Sequence, residues 1–156
     1  MEKIYVETTI LGYLASRPSS QPHVADRQKK THQWWDEKRP FCRCFSSELV
    51  RLEAQAGDPR RAEERLKYLA LLEMLENSPE GEKLAELFVL QGPMPPTSVA
   101  DAVHLASATL AGADFLLTWN CAHLANPSLL KILRPLAEDS GYRLPSVCTP
   151  EDMVGN

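Results

Sequence analysis

Residues 3–18 read KIYVETTILGYLASRP, and this stretch decides the fold. Its first four residues, Lys3 to Val6, include the β-branched and aromatic types that suit a buried, pleated strand. Glu7 follows at once, with Thr8 and Thr9 behind it. Thr9 can cap a helix running to about Ser16. Arg17-Pro18 stops that helix, because a residue before proline is driven out of the helical region. The start lacks a basic region followed by an apolar core and a small-residue cleavage site. It therefore reads as a strand and a helix, not as a signal peptide, and the protein is expected in the cytoplasm.

The same alternation continues down the chain. A polar helix is predicted from about His23 to Lys38, with Val24, Gln28, Trp34 and Trp35 as a sparse apolar stripe and Pro40 beyond its end. A second strand is expected at 41–46, after which Ser46 or Ser47 can cap a helix from Glu48 to about Ala56. Asp58-Pro59 starts the next helix with proline at its first position, and that helix runs to about Ala70. Residues 71–75 suit a third strand. Ser78-Pro79 opens a helix ending near Gly92, and a proline-rich loop follows at 92–98. Val99, Val103, Ala106 and Leu110 recur at helical spacing, with Gly112 closing that helix. Phe115 to Trp119 is a continuous apolar run, as expected of a strand covered on both faces. A helix at 128–139 and a strand at 146–149 complete the series. Strands alternating with helices predict an α/β fold: a three-layer α/β/α domain with a central, mostly parallel sheet. No repeat, linker or low-complexity tract divides it, so residues 1–156 read as one domain.

Composition fits this reading. The chain is 44% apolar and 24% charged, ordinary for a globular protein, and no run of about 18 apolar residues suggests a membrane span. The net charge of −4 argues against indiscriminate nucleic-acid binding, but the charge is uneven. Residues 1–78 carry 13 Lys or Arg against 12 Asp or Glu, and residues 79–156 carry 4 against 9. Any RNA contact is thus expected in the first half, where Arg17, Arg27, Lys29, Lys30, Arg39 and Arg43 lie. Cys42, Cys44, Cys121 and Cys148 form no CxxC pair and read as buried free thiols before they read as a zinc site.

Three acids stand where strands end or helices begin: Glu7, Glu48 and Asp101. In parallel α/β sheets ligands bind at the carboxyl ends of the strands. Carboxylates converging there repel one another unless a cation neutralises them, and Mg²⁺ or Mn²⁺ prefers such oxygen ligands. Glu48 and Asp101 also suit a plainer role as first-turn carboxylates favoured by the helix dipole, and Ser98 with Asp101 has capping-box spacing. Spacing alone leaves both readings open.

Four segments carry a resemblance. Tyr5-Val-Glu-Thr-Thr-Ile resembles the opening motif of PIN domains, the fold of the VapC toxins of toxin–antitoxin pairs. Phe45-Ser-Ser-Glu-Leu-Val resembles the second motif, with Glu48 as its acid. Ala100-Asp-Ala-Val-His-Leu-Ala resembles the third, with Asp101 acidic and His104 one turn on. Phe115-Leu-Leu-Thr-Trp-Asn-Cys-Ala-His resembles the fourth. The match runs from about residue 4 to 149 and rests on order and spacing, since no single motif is specific. It implies a Mg²⁺- or Mn²⁺-dependent ribonuclease of the VapC-like toxin kind, with Glu7, Glu48 and Asp101 holding the metal and Thr9 orienting Glu7 or a metal water. It further implies a protein antitoxin as partner and a homodimer. Two positions depart from the pattern. Glu7 stands where the family most often has Asp, and Asn120 stands where the fourth motif often has Asp. An amide oxygen can ligate, but it brings no charge.

The alternative reading is a PIN-fold protein that binds RNA or a partner through a weakened metal site, and Asn120 favours it. A phosphatase or 5′-nuclease on the same carboxylate logic is a third. Among the remaining residues, His104 reads as core or site. His123 reads as a cap or packing residue before a site residue. Trp34 and Trp35 read as core before base-stacking platforms. Arg60, Arg61, Arg65 and Lys67 read as a solvated face paired with Glu63 and Glu64.

Overall fold

A computed structural model describes residues 1–92 and 98–154, without the side chain of Cys121. Most of the loop expected at 92–98 falls outside the described residues. The first strand, β1 (Lys3–Val6), buries Ile4, Tyr5 and Val6 completely, which is why it reads as an unbroken apolar run. Helix α1 (Thr8–Ala15) follows without a loop. Its N-cap is Glu7, whose carboxylate accepts the Thr9 N–H, so the acid does the capping that the sequence assigned to Thr9. Helix α2 (Pro22–Glu37) buries Trp34 and Trp35 in the core.

Pro40 belongs to a 3₁₀ turn at Arg39–Phe41, which delays the second strand, β2, to Arg43–Ser47. Ser47 caps α3 (Glu48–Ala54), and Asp58 caps α4 (Pro59–Leu69) by accepting the Arg61 N–H at 3.0 Å. The basic run on α4 is less solvated than its charge suggests. Arg61 donates to the Ala15 carbonyl at 2.9 Å, and Arg65 donates to the Ala54 and Ala56 carbonyls at 2.8 and 2.7 Å. These arginines satisfy carbonyls at the ends of α1 and α3 that have no helical partner of their own. Among the described residues only Lys67 takes the expected partner, Glu64, at 3.2 Å.

Next come β3 (Glu73–Leu75), α5 (Pro79–Gln91), α6 (Val99–Leu110) and β4 (Phe115–Leu117). Two short helices that periodicity did not reveal, α7 (Cys121–Leu124) and α9 (Pro150–Val154), flank α8 (Pro127–Asp139) and β5 (Ser146–Cys148). Ser98 makes no side-chain cap at α6, so its capping-box spacing with Asp101 is not used.

All strand pairs are parallel, in the order β3-β2-β1-β4-β5. The chain builds outward from β1 through β2 to β3, then crosses to the other side of β1 for β4 and β5. The switch in direction falls between β1 and β4, and the crevice at such a switch is where open α/β sheets bind ligands. Helices cover the sheet in two groups: α1 packs on α2, α3 and α4, and α2 on α9, while α5 packs on α6 and α8. Ile10, Trp34, Phe45, Phe88, Leu105 and Leu116 lie at the centre of a continuous core.

Candidate metal centre

Glu7 leaves β1 at the switch point and is 5% exposed. Its Oε1 accepts three hydrogen bonds, from the Thr9 N–H at 3.1 Å, the Thr9 hydroxyl at 2.5 Å and the Thr118 hydroxyl at 2.7 Å. Thr9 and Thr118 are held in turn, because their oxygens accept the Trp119 and Asn120 N–H groups, each at 2.9 Å. The end of β4 and the start of α1 thus clamp one carboxylate oxygen from two sides. Among the described residues no hydrogen bond is directed to Glu7 Oε2.

Glu53 comes from α3 in the same manner. Its Oε1 bonds the Thr8 hydroxyl at 2.5 Å and His104 Nε2 at 2.8 Å, and Oε2 is again left over. Burial pushes the Glu53 carboxyl up, but the hydrogen bonds from His104 and Thr8 outweigh that and bring it below the ordinary range. Glu7, Glu53 and His104 each offer a ligand atom, and these atoms lie within 4.8 Å of one another. The sequence reading had missed Glu53. The signal was present: on a helix starting at Glu48, Glu53 lies on the face of the buried Val50 and Ala54.

Asp101, on the first turn of α6, borders this group. Burial raises its carboxyl above the ordinary range and the negative charge of Glu53 adds to that, while His123 and His104 pull the other way. Asn120, just past β4, donates its Nδ2 to Asp101 Oδ1 at 3.3 Å, and His123 Nδ1 stands 3.9 Å from Asp101 Oδ2 with its own side chain 62% exposed. Of the sequence-assigned residues, Glu7, Thr9, Asp101 and Asn120 thus fall around one crevice. Glu48 does not join them. It is paired with Arg51 through both carboxylate oxygens, which lowers its pKa by hydrogen bonding.

The donor chemistry suits a hard divalent cation. Two carboxylates have one oxygen saturated and the other open, a third lies beside them, and Asn120 offers an amide oxygen. The Arg27 guanidinium lies 5.0 Å from the centre of the Trp119 ring, over its face. Trp119 is itself fixed by its indole N–H on Thr31 at 2.9 Å. Among the described residues no helix is long and apolar enough to cross a membrane.

Fold and crevice together define an α/β protein with acids gathered at the switch point of an all-parallel sheet. The architecture is PIN-like, that of the VapC structures. VapC20 of Mycobacterium tuberculosis, a toxin that cleaves the sarcin–ricin loop, superposes with a TM-score of 0.62 at 16% identity, over 78% of this chain and 93% of its own. VapBC2 of Rickettsia felis, bound to a promoter DNA fragment, gives 0.55 at 14% identity, over 94% of this chain and 98% of its own. FitAB bound to a DNA fragment gives 0.60 at 14% identity, over 94% of both chains. At such identities the likeness shows the fold. No protein-family model matches the chain, and no curated protein matches its sequence.

Proposed function

We propose that this chain is a metal-dependent endoribonuclease, a VapC-like toxin whose partner is a small protein antitoxin. The observation that carries the reading is the pairing of Glu7 and Glu53, each with Oε1 saturated by donors and Oε2 open, beside Asp101 at the sheet's switch point. Glu7, Glu53 and Asp101 would hold Mg²⁺ or Mn²⁺. When bound, such an ion activates water and stabilises charge developing on a phosphodiester. The chain's own residues do the rest. Thr9 and Thr118 fix Glu7, Thr8 and His104 fix Glu53, and Asn120 orients Asp101. Arg27 supplies a positive charge at the rim, where the backbone of an RNA strand would pass. The likeness to VapBC2 and FitAB supports the antitoxin partner, and a homodimer belongs to the same proposal.

The test is incubation of the purified protein with RNA and Mn²⁺, with and without chelator, beside Glu7→Gln. Cleavage that needs both the metal and Glu7 supports the reading; RNA left intact by the wild type overturns it. Asn120 supports a second reading, an RNA- or partner-binding PIN fold, because its amide meets Asp101 where a further carboxylate would add charge. RNA binding without cleavage at saturating Mn²⁺ selects that one.

A further inference from the structure

Tyr5, Ser47, His104 and Glu53 come from four different elements and meet in a line of side-chain hydrogen bonds. Ser47 Oγ lies 2.6 Å from the Tyr5 hydroxyl, that hydroxyl lies 2.8 Å from His104 Nδ1, and His104 Nε2 lies 2.8 Å from Glu53 Oε1. Tyr5 is 0% exposed, His104 1% and Ser47 2%. Water therefore does not compete for these bonds, and each unmatched donor or acceptor would be costly.

The direction of the line is set at its Glu53 end. An ionised carboxylate only accepts, so Nε2 carries the proton. In the tautomer with Nε2 protonated and Nδ1 bare, Nδ1 then accepts, Tyr5 donates to it, and Ser47 donates to Tyr5. Ser47 Oγ is left to accept the Val50 N–H at 3.4 Å, and no group is idle. With Thr8, this line fills Glu53 Oε1, and among the described residues no hydrogen bond is directed to Oε2.

His104 stands close enough to the carboxylates to be counted as a ligand itself. Ligation through Nε2 would first require that atom to lose its proton. Two lone pairs, on Nε2 and Glu53 Oε1, would then face each other across the present 2.8 Å, and the Tyr5–Ser47 link would have to reverse. A packing role alone leaves the matched donors and acceptors unexplained, since an apolar side chain would fill the same place.

We propose that His104 is a positioning residue: through the Ser47–Tyr5–His104 line it holds the Glu53 carboxylate for the cation, and it is not itself a ligand. This rests on the metal reading above. It leaves oxygen atoms alone to hold the cation, in keeping with Mg²⁺.

The test uses the full chain, with long-range ¹H–¹⁵N correlation of the imidazole in metal-free protein and at saturating Mg²⁺, and calorimetric titration of Mg²⁺ and Mn²⁺. The expected spectrum shows Nε2 protonated in both states. His104→Leu should weaken metal binding by about 10–100-fold, the usual loss when a partner of a ligand is removed. His104→Gln, which places an amide N–H near the Nε2 position, should recover most of it. Tyr5→Phe, which keeps the ring in the core, should fall between wild type and His104→Leu, and it stands in if the leucine variant does not fold. Loss of the Nε2 proton on Mg²⁺ addition overturns the proposal by making His104 a ligand. Wild-type affinity in a folded His104→Leu, or in Tyr5→Phe, overturns it by making the line idle. Failure of the wild type to bind either ion, or binding untouched by Glu7→Gln, instead overturns the metal reading and this inference with it.

Discussion

At the scale of single residues, Glu53 and Glu48 share one short helix and have opposite surroundings. The helix turns about 100° per residue, which puts Glu48 roughly 160° from Val50 and near the exposed Leu52 and Gln55. Glu53 falls about 60° from Val50, one turn on along the buried side. Glu53→Gln should therefore cut RNA cleavage by at least about a hundredfold, as loss of an electrostatic group at a reacting centre commonly does. Glu48→Gln should leave cleavage within a few-fold, and equal losses in an initial-rate assay would contradict this assignment. A resemblance read by motif stopped at the first acid after the serines; helical phase would have gone on to Glu53. Asp101 makes a separate prediction. Its folded pKa lies above the unfolded value, so its effect on stability is absent at low pH and becomes destabilising as pH rises through that interval. In metal-free buffer near neutral pH, Asp101→Asn should raise the thermal midpoint, and the gain should vanish in acid below both values. A midpoint that falls at neutral pH would refute this. Asn120→Asp goes the other way. It sets a second carboxylate where an amide now donates to Asp101, so the metal-free protein should lose stability while Mn²⁺ binds more tightly by calorimetry. Unchanged or weaker Mn²⁺ affinity would remove Asn120 from the site.

At the scale of elements, two helices matter beyond the residues they lend to the crevice. Arg65 of α4 holds the carbonyls that close α3, and α3 carries Glu53. Arg65→Ala should cost about 1.5–3 kcal/mol in denaturant unfolding, the range for hydrogen bonds to charged groups. A loss below the error of the fit would mean that water replaces the guanidinium there. Composition alone gave this basic run to solvent, because a sequence shows the charges of a helix and not the carbonyl ends waiting beside it. Strands and long helices were legible because their apolar periods are strong, whereas α7 and α9 are too short to show a period. On α2, charge and position diverge. Lys30 is paired with Asp26 at 2.7 Å and Glu151 at 2.5 Å, while Arg27 lies on Trp119 beside the crevice. Arg27→Glu should weaken RNA binding and flatten its dependence on salt, and Lys30→Glu should do so less. If the two variants lose affinity equally in filter binding across a salt series, the RNA path does not run by Trp119.

For the whole molecule, the parallel sheet follows from alternation, but the strand order does not, since no local pattern states that β4 returns to the far side of β1. That return brings Thr118 against Glu7 and Asn120 against Asp101 of α6, and the packing of α3 and α6 adds Glu53 and His104. The crevice is thus built from segments distant in sequence, and an unfolded chain has no equivalent of it. A cation that binds there must bind the folded state almost alone, so its binding free energy adds to folding stability as RT ln(1 + [L]/Kd). At a free concentration of about 100 Kd this amounts to about 2.7 kcal/mol. For a domain of this length, about 1 kcal/mol moves the midpoint by ~2–4 °C. Saturating Mn²⁺ should therefore raise the thermal midpoint by roughly 5–11 °C over chelator-treated protein, on the two figures above. The rise should depend on concentration, disappear in Glu7→Gln and Glu53→Gln, and persist in Glu48→Gln. Such melts need neither the RNA target nor the antitoxin, so they test the crevice apart from its substrate. A midpoint that ignores Mn²⁺ across this range, or that shifts equally in Glu7→Gln, would show that the acids gathered by the fold do not bind the ion.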